Sequence, residues 1–243
     1  MIPSFLGPDL DEGPLPALFY FALSEQESLN LDPYNQPALH LRSSDLRIFS
    51  FTLPDHGPDL NPVEAIGKWA ERFAKGEDPL TPFFEKSARS IEKLIAQNLV
   101  VKERIALMGL SRGGFVAGHI ATFLPFVSAY LAFAPLTKLS EAKEFASLKN
   151  REQIKRFDLE HLVPRLAHIP TRFYIGNRDL RVSTRNCFHL IDLLANESFN
   201  QGNRSPPIEL IISPSIGQLG HGTPKEIFHA GAEWVAGKLA ILL

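Results

Sequence analysis

Hydrophobic residues fall in short unbroken runs that alternate with amphipathic stretches along most of the chain. The runs predict six β-strands, at residues 17–23, 46–53, 105–110, 127–133, 171–175 and 208–212. Runs without polar alternation are typical of strands that are buried on both faces. The segments between them predict helices, including 183–194 and 225–242. Strands that alternate with helices predict an α/β fold, with a mostly parallel sheet of about six strands and helices on both faces.

Two segments lie outside this alternation. Residues 1–16 are rich in proline and acidic residues and predict an N-terminal arm. Residues 140–168 interleave Lys, Arg and Glu in a stretch that predicts charged helices between the fourth and fifth strands. The chain has 243 residues, which is compatible with one large domain at residues 17–243.

Composition narrows the class of protein. Hydrophobic residues make up 44% of the chain and charged residues 21%, which is ordinary for a globular protein. A net charge of -2 gives no general attraction to nucleic acid or to anionic membranes. No apolar run is long enough to span a membrane, and the single cysteine, Cys187, excludes an intrachain disulfide. The N-terminal residues lack the basic and apolar regions of a secretory signal, so we expect a cytoplasmic protein.

The most informative motif is Gly-Leu-Ser-Arg-Gly-Gly at residues 109–114. It joins a predicted strand to a predicted helix, which is the context of a nucleophile elbow with Ser111 as the nucleophile. Glycines let such a tight turn close, and the helix N-terminus directs free N–H groups at a developing oxyanion. The alternative is a glycine-rich turn with no catalytic role.

A serine hydroxyl needs a base, and the base needs a carboxylate that orients it. Asp179 follows the fifth predicted strand, although it also fits a turn or helix-capping aspartate. His221 lies between two glycines, in the loop between the last strand and the last helix, although an exposed loop histidine fits equally. The other seven histidines lie in predicted helices or on the wrong side of Ser111 or Asp179. Ser111, Asp179 and His221 follow the chain order of the α/β-hydrolase triad.

The blocks at residues 109–114, 174–182 and 220–222 resemble the three catalytic blocks of the α/β-hydrolase superfamily. They are most similar to its prolyl-oligopeptidase-like and small carboxylesterase branches. The resemblance implies a three-layer α/β-hydrolase fold with Ser111 as nucleophile, His221 as base and Asp179 as its orienting acid. It also implies that the family's first two, antiparallel strands are missing. Residues 140–168 lie where the family inserts its cap, and we expect them to form a short cap-like segment.

The same resemblance implies an oxyanion hole of backbone N–H groups. Arg112 supplies one of them, and the loop at residues 23–26 supplies the other, through Ser24 or Glu25. The family usually carries His-Gly at this loop, and an acidic side chain in its place would disfavour anionic substrates. We interpret the side chain of Arg112 as solvated or packed on its helix, in preference to a ligand for a substrate carboxylate. His56, followed by glycine, is interpreted as part of a structural turn.

These residues predict a serine hydrolase that cleaves an ester of a small-molecule acyl substrate through an acyl-enzyme intermediate. An acyltransferase, a thioesterase or a small peptidase would use the same triad. A non-catalytic binding protein on the hydrolase fold is a further alternative. We expect no cofactor and no metal, because the chain has no His-x-x-x-His motif and no cysteine cluster. We expect an open or shallow pocket, because residues 140–168 are too charged for a large apolar lid. The sequence does not determine the oligomeric state and is compatible with a homodimer.

Overall fold

The computed structural model describes residues 3–240 and contains a seven-stranded sheet. Its strands are β1 Ser4–Leu6, β2 Leu15–Phe21, β3 Arg47–Ser50, β4 Val100–Leu110, β5 Ala129–Phe133, β6 Thr171–Gly176 and β7 Ile208–Ser213. The spatial order is β1-β3-β2-β4-β5-β6-β7. β1 pairs with β3 in antiparallel register, and all the other neighbours are parallel. The carboxyl ends of β2 to β7 therefore share one edge of the sheet.

Helices follow most of the strands. They are α1 Glu25–Asn30, α2 Gln36–Leu41, α3 Ala65–Ala74, α4 Thr81–Ala96, α5 Arg112–Ala121, α6 Glu152–Lys155, α7 Val163–Leu166, α8 Thr184–Asn200 and α9 Lys225–Lys238. Short 3-10 turns occupy Leu10–Glu12, Leu139–Glu141, Lys143–Phe145, Leu159–Leu162 and Gln218–Gly220. No helix within residues 3–240 combines the length and the apolar character that crossing a bilayer would require.

Two apolar layers hold the sheet between the helices. Phe19 and Leu107 point to one side, where they join the buried side chains of α3, α4, α5 and α8. Their neighbours Leu18 and Met108 point to the other side, toward α1, α2 and α9. Because successive residues of a strand face opposite sides, a strand in the middle of this arrangement needs apolar residues at every position. The predicted three-layer α/β architecture is confirmed.

The N-terminal region is more structured than the sequence indicated. The seventh strand, β1, lies inside the predicted arm, and β2 begins at Leu15. A three-residue strand is too short to show a periodicity, which is why it was missed. The fully buried Arg47 fastens the intervening residues by donating to the carbonyl oxygens of Pro8 and Gly13. The expected absence of both antiparallel strands is therefore wrong for one of them, and residues 1 and 2 of the arm lie outside the described residues.

The charged segment at residues 140–168 forms short turns and the short helices α6 and α7. Phe145, Ile154 and Leu159 insert their side chains into the core on the side of α3 to α5, while many charged side chains stay exposed. The segment covers the sheet without forming long helices. The last predicted helix, at residues 225–242, is observed as α9 up to Lys238, and residues 241 and 242 lie outside the described residues.

Candidate active site

The turn that follows β4 holds Ser111 in an unusual backbone conformation. Its φ is 54° and its ψ is -115°, a region that residues with a Cβ rarely adopt and that often marks functional sites. Glycine is required on both sides because the backbone is crowded. A Cβ on Gly109 would lie 2.1 Å from the carbonyl carbon of Gly113, and one on Gly113 would lie 1.9 Å from the carbonyl oxygen of Phe21. The spacing of the motif is therefore set by steric contact.

Ser111, His221 and Asp179 form one continuous chain of hydrogen bonds. The Ser111 hydroxyl lies 2.9 Å from His221 Nε2, and His221 Nδ1 lies 2.7 Å from Asp179 Oδ2. With the carboxylate as acceptor, Nδ1 carries the proton and Nε2 is free to accept from the hydroxyl. This is the arrangement that a nucleophile, its base and an orienting acid require.

The carboxylate of Asp179 is fully buried and fully satisfied. Its Oδ1 accepts the backbone N–H groups of Arg181 at 2.9 Å and Val182 at 3.0 Å, which leaves Oδ2 for His221. Ser215, in the loop that leads to His221, accepts the N–H of Arg178 at 2.7 Å and so fastens the two loops together. Asp179 is thus positioned by backbone hydrogen bonds, and the loop that carries His221 is tied to the Asp179 loop through Ser215.

A cavity of about 300 Å³ opens directly on this hydrogen-bond chain. Ser111 and His221 form part of its wall, and most of the remaining wall is apolar. Leu110 and Gly222 lie in the predicted catalytic blocks, and Leu23 lies in the predicted oxyanion loop. The sequence did not identify the other lining residues, which are Ala22, Pro33, Tyr34, Pro62, Val63, Thr223 and Phe228. The available signal was their place in segments that follow strand ends, where parallel sheets hold their ligands. Their side chains carry no motif that identifies them individually.

The N–H of Arg112 is directed by the first turn of α5, beside Ser111. Within residues 3–240 it has no acceptor, whereas the N–H of Ser111 itself donates to the carbonyl oxygen of Phe133 at 2.8 Å. A free amide at a helix N-terminus next to a nucleophile is suited to stabilising negative charge. Arg112 therefore lies where the sequence predicted it.

Ser24 and Glu25, the other predicted oxyanion residues, are not brought to Ser111. The N–H of Ser24 donates to Glu27 Oε2 at 3.1 Å, and the N–H of Glu25 donates to Thr52 Oγ1 at 3.2 Å. Neither residue lines the cavity. The physical reason is a capping box, in which the Ser24 hydroxyl caps α1 and Glu27 returns to the Ser24 backbone. The sequence Ser-Glu-Gln-Glu at residues 24–27 is the pattern of a capping box, and it was overlooked when Ser24 and Glu25 were predicted as oxyanion donors.

Leu23 is the member of this loop that reaches the cavity. Its N–H donates to Ser28 Oγ at 3.0 Å, and the N–H of Ala22 donates to the same oxygen at 3.2 Å. Ser28 is fully buried and also donates to the carbonyl oxygen of Ser24. The backbone of Ala22 and Leu23 at the cavity wall is thus held by the hydroxyl of Ser28, which lies five residues after Leu23 on α1.

His56 is buried beneath the site and does not touch the triad. Its Nδ1 lies 2.8 Å from the carbonyl oxygen of Pro54, and its Nε2 lies 3.1 Å from a guanidinium nitrogen of Arg112. Burial, assisted by the positive charge of Arg112, lowers the pKa of His56 to about 4. Within residues 3–240, no three His, Cys, Asp or Glu side chains cluster in a way that could hold a metal ion.

Comparison with known proteins places the fold. Neither a protein-family model nor a curated protein matches the sequence. Prolyl oligopeptidase B from Galerina marginata superposes with a TM-score of 0.65 over 95% of this chain at 16% identity. An S-formylglutathione hydrolase from Agrobacterium tumefaciens gives 0.61 over 97% at 16% identity, and esterase PE8 gives 0.60 over 97% at 14% identity. The chain therefore has the α/β-hydrolase fold.

The length covered differs between these neighbours. This chain spans 33% of prolyl oligopeptidase B and 33% of a dipeptidyl aminopeptidase IV homologue from Bacteroides ovatus. It spans 98% of esterase PE8 and 89% of the S-formylglutathione hydrolase. Of these four neighbours, two are matched over a third of their length and two over most of it.

Proposed function

We propose that this chain, an α/β-hydrolase by fold, is a serine hydrolase that cleaves carboxylic esters of small molecules. The observation that carries the proposal is the hydrogen-bond chain from Asp179 through His221 to Ser111, with distances of 2.7 Å and 2.9 Å, at the wall of a cavity. Ser111 has the strained backbone of a nucleophile elbow, and within residues 3–240 its hydroxyl makes no hydrogen bond besides the one to His221. Buried imidazole–carboxylate pairs that end on a serine are the usual means of activating that serine.

The reaction proceeds in two transfers. The Ser111 oxygen attacks the ester carbonyl carbon while His221 Nε2 accepts the hydroxyl proton. The tetrahedral intermediate then expels the alcohol, which takes the proton from His221, and the acyl group stays on Ser111. A water molecule repeats the attack with His221 as base, and the carboxylic acid leaves as Ser111 regains its proton. Asp179 keeps Nδ1 protonated and stabilises the imidazolium formed in each step.

The Arg112 N–H is the proposed first donor to the oxyanion. For the second donor we propose Leu23 in place of Ser24 and Glu25, because Leu23 is the loop residue in the cavity wall. The N–H of Leu23 donates to Ser28 Oγ at 3.0 Å in this structure, so the assignment requires this N–H to exchange that acceptor for the oxyanion, which leaves Ser28 Oγ to the N–H of Ala22. Each such donor contributes on the order of 10²-fold to 10³-fold in rate in related chemistry.

Ester cleavage is proposed over peptide cleavage because of the size of the cavity. A cavity of about 300 Å³ suits a small acyl group better than an extended peptide. The proposal includes a single domain that extends the predicted range of 17–243 to β1, because β1 pairs with β3 in the same sheet, and a cap-like segment at 140–168. It also includes a cytoplasmic location, which rests on the sequence.

Labelling with a fluorophosphonate probe tests the nucleophile. Wild type is expected to label and to hydrolyse 4-nitrophenyl acetate, and Ser111→Ala is expected to do neither. Ser90→Ala is the matched control, because this exposed serine lies on α4, away from the cavity, and its variant keeps both properties. Absence of labelling in wild type would favour a non-catalytic binding protein, and labelling of Ser111→Ala would overturn the assignment.

A comparison of matched substrates distinguishes ester hydrolysis from the competing reactions. Matched 4-nitrophenyl ester, thioester and 4-nitroanilide substrates with the same acyl group are compared at equal enzyme concentration. The proposal expects the ester to have the largest kcat/KM. A larger kcat/KM for the anilide would identify a peptidase, and transfer of the acyl group to an added alcohol in preference to water would identify an acyltransferase.

A further inference from the structure

Arg112 is the one Lys, Arg, Asp or Glu among the described residues that line the cavity. Its side chain crosses to the loop that precedes α3, where Nη1 donates to the carbonyl oxygen of Pro62, itself a lining residue. The remaining wall is neutral, with Leu23 and Tyr34 among its members, apart from the base His221. The cavity therefore presents a single fixed positive charge to any occupant.

The guanidinium is held in place from behind by His56. Nη1 also lies 3.1 Å from His56 Nε2, while His56 Nδ1 lies 2.8 Å from the carbonyl oxygen of Pro54. A carbonyl accepts only, so Nδ1 carries the proton and Nε2 is the lone pair that accepts from Arg112. Because burial lowers the pKa of His56 to about 4, the ring stays neutral and keeps this acceptor at neutral pH.

No carboxylate forms a direct ion pair with Arg112 within residues 3–240. The nearby Glu144 instead forms two hydrogen bonds with Arg181, at 3.1 Å and 2.8 Å. Burial first, and then the positive charge of Arg181, lower the pKa of Arg112 to about 10 against the opposing effect of Glu144, so it remains protonated at neutral pH. A half-buried cation without a directly paired carboxylate is costly, and an anion in the cavity would relieve part of that cost.

The guanidinium also retains hydrogen-bonding capacity. Nη1 makes the hydrogen bonds that Arg112 has within the described chain, and neither Nε nor Nη2 is among the buried atoms that lack a partner. These two nitrogens therefore keep access to solvent. An arginine with two free donors on one edge matches the two oxygens of a carboxylate. A purely structural role, tying α5 to the loop at residues 54–62, would need only Nη1 and no charge.

We propose that Arg112 is a specificity residue that binds a carboxylate carried by the substrate, so that the preferred esters are anionic. The inference rests on the proposed function and narrows its substrate class. The sequence favoured a solvated or helix-packed arginine, and the charge on Glu25 argued against anionic substrates. Glu25 instead accepts a hydrogen bond from Ser4 at 2.9 Å and lies outside the cavity wall, which removes that objection.

Two matched pairs of esters test the proposal. The first pair is the mono-4-nitrophenyl ester of adipic acid and its neutral primary amide, which differ on the acyl side. The second is 4-acetoxyphenylacetate and its primary amide, which differ on the alcohol side, with a methylene that insulates the leaving group. In at least one pair, kcat/KM of wild type for the carboxylate is expected to exceed that for the amide by about 10-fold to 100-fold.

The effect of substituting Arg112 is judged by the ratio of kcat/KM for the carboxylate to kcat/KM for the amide. Activity alone is not used, because the backbone N–H of Arg112 belongs to the proposed oxyanion hole. Arg112→Gln is expected to bring the ratio to about one, and Arg112→Lys to leave it between the two values. The control is Arg72→Gln, which removes an exposed charge 3.8 Å from Asp55, on the same loop as His56, without touching the cavity. It is expected to keep the wild-type ratio. A wild-type ratio at or below one in both pairs, or a ratio that Arg112→Gln leaves unchanged, overturns the proposal.

Binding without turnover separates this proposal from the catalytic one. Hexanoate and the uncharged hexanamide are each titrated into Ser111→Ala by calorimetry, and their binding is compared. Preferential binding of hexanoate that disappears in Ser111→Ala/Arg112→Gln supports the carboxylate site even if no ester is hydrolysed. Equal binding of the two compounds, or hexanoate binding that survives in the double variant, contradicts it even if the serine hydrolase activity is present.

Discussion

Two serines occupy equivalent places in this molecule and do opposite things. Ser24 and Ser111 are the N-cap residues of α1 and α5, which follow the adjacent parallel strands β2 and β4. Ser24 has an ordinary extended conformation, with φ -70° and ψ 162°, and its hydroxyl accepts the N–H of Glu27 at 3.2 Å. Ser111 has φ 54°, and its hydroxyl makes no cap and lies against His221.

The difference teaches that backbone conformation decides whether a capping serine is structural or available for chemistry. An extended N-cap folds its hydroxyl back over the first turn of the helix. A positive φ turns the hydroxyl away, so the Ser111 side chain caps no amide of α5 and its oxygen can reach His221. The molecule stabilises α1 through Ser24 and gives up the same stabilisation at α5, as expected of a site in which function opposes local stability.

The largest effect that this comparison predicts concerns Ser111→Ala. Loss of the nucleophile is expected to lower kcat for ester hydrolysis by about 10⁴-fold to 10⁶-fold. Because the hydroxyl caps nothing, the free energy of unfolding is expected to change by no more than about 0.5 kcal/mol. Urea unfolding and steady-state hydrolysis measure the two quantities. A loss of stability comparable to that of a removed helix cap would mean that the two serines are less different than the structure indicates.

The second prediction addresses the packing that allows the positive φ. Gly113→Ala would place a Cβ 1.9 Å from the carbonyl oxygen of Phe21, which is backbone and cannot rotate away. We expect a destabilisation of about 3 kcal/mol, measured by urea unfolding, because α5 must move away from β2. The displacement also removes the Arg112 N–H from its place beside Ser111, so hydrolysis is expected to fall in the fraction that remains folded.

A glycine in a helix without close neighbours gives the matched control. Gly67 lies in α3, and a Cβ there meets nothing within 4 Å. Gly67→Ala is expected to raise the free energy of unfolding by up to about 1 kcal/mol through helix propensity. If Gly113→Ala behaved like Gly67→Ala, the steric account of the motif would be wrong.

The third prediction concerns the pH dependence of stability. In this respect α5 differs from α1, because α5 carries a buried histidine. His119 Nε2 donates to the carbonyl oxygen of Phe157 at 2.9 Å, and burial lowers the pKa of His119 to about 4. The unfolded chain takes up this proton near the usual pKa of 6.5 while the folded chain does not. Stability from this group is therefore fully present above pH 6.5 and is lost as the pH falls toward 4. By pH 5 the loss is about 2 kcal/mol.

Urea unfolding of wild type and His119→Gln at pH 7.5 and pH 5 measures this contribution. The glutamine retains an N–H for the Phe157 carbonyl but does not titrate. The variant is expected to be less stable at pH 7.5, because His119 also stacks on Phe84 with the ring centroids 4.4 Å apart. Its further loss at pH 5 is expected to be about 2 kcal/mol smaller than that of wild type. Equal losses would show that His119 does not titrate as a buried group.

Most of the fold could be predicted from the sequence, because strands that are buried on both faces appear as unbroken apolar runs. The elbow could be predicted as well, since glycines at 109 and 113 are a steric necessity with a fixed spacing. The roles of Ser24 and Glu25 were mistaken because the family resemblance was applied to a loop whose own capping box directs its amides elsewhere. The environment of Arg112 depends on Pro54, His56 and Pro62, which are some fifty residues away, and local patterning contains no such information.

The smallest effect is predicted for the other serine. Ser24→Ala removes the hydroxyl that accepts the N–H of Glu27, and the free energy of unfolding is expected to fall by about 1 kcal/mol in urea unfolding. Hydrolysis is expected to change by less than about tenfold, because Ser28 still anchors the loop that carries Leu23 by accepting the N–H of Ala22 at 3.2 Å. Glu27→Gln serves as the control, since it keeps a side-chain oxygen for the Ser24 N–H. It is expected to lower the free energy of unfolding by less than Ser24→Ala does. A loss of activity in Ser24→Ala near that of Ser111→Ala would place Ser24 in the oxyanion hole and would restore the prediction made from the family resemblance.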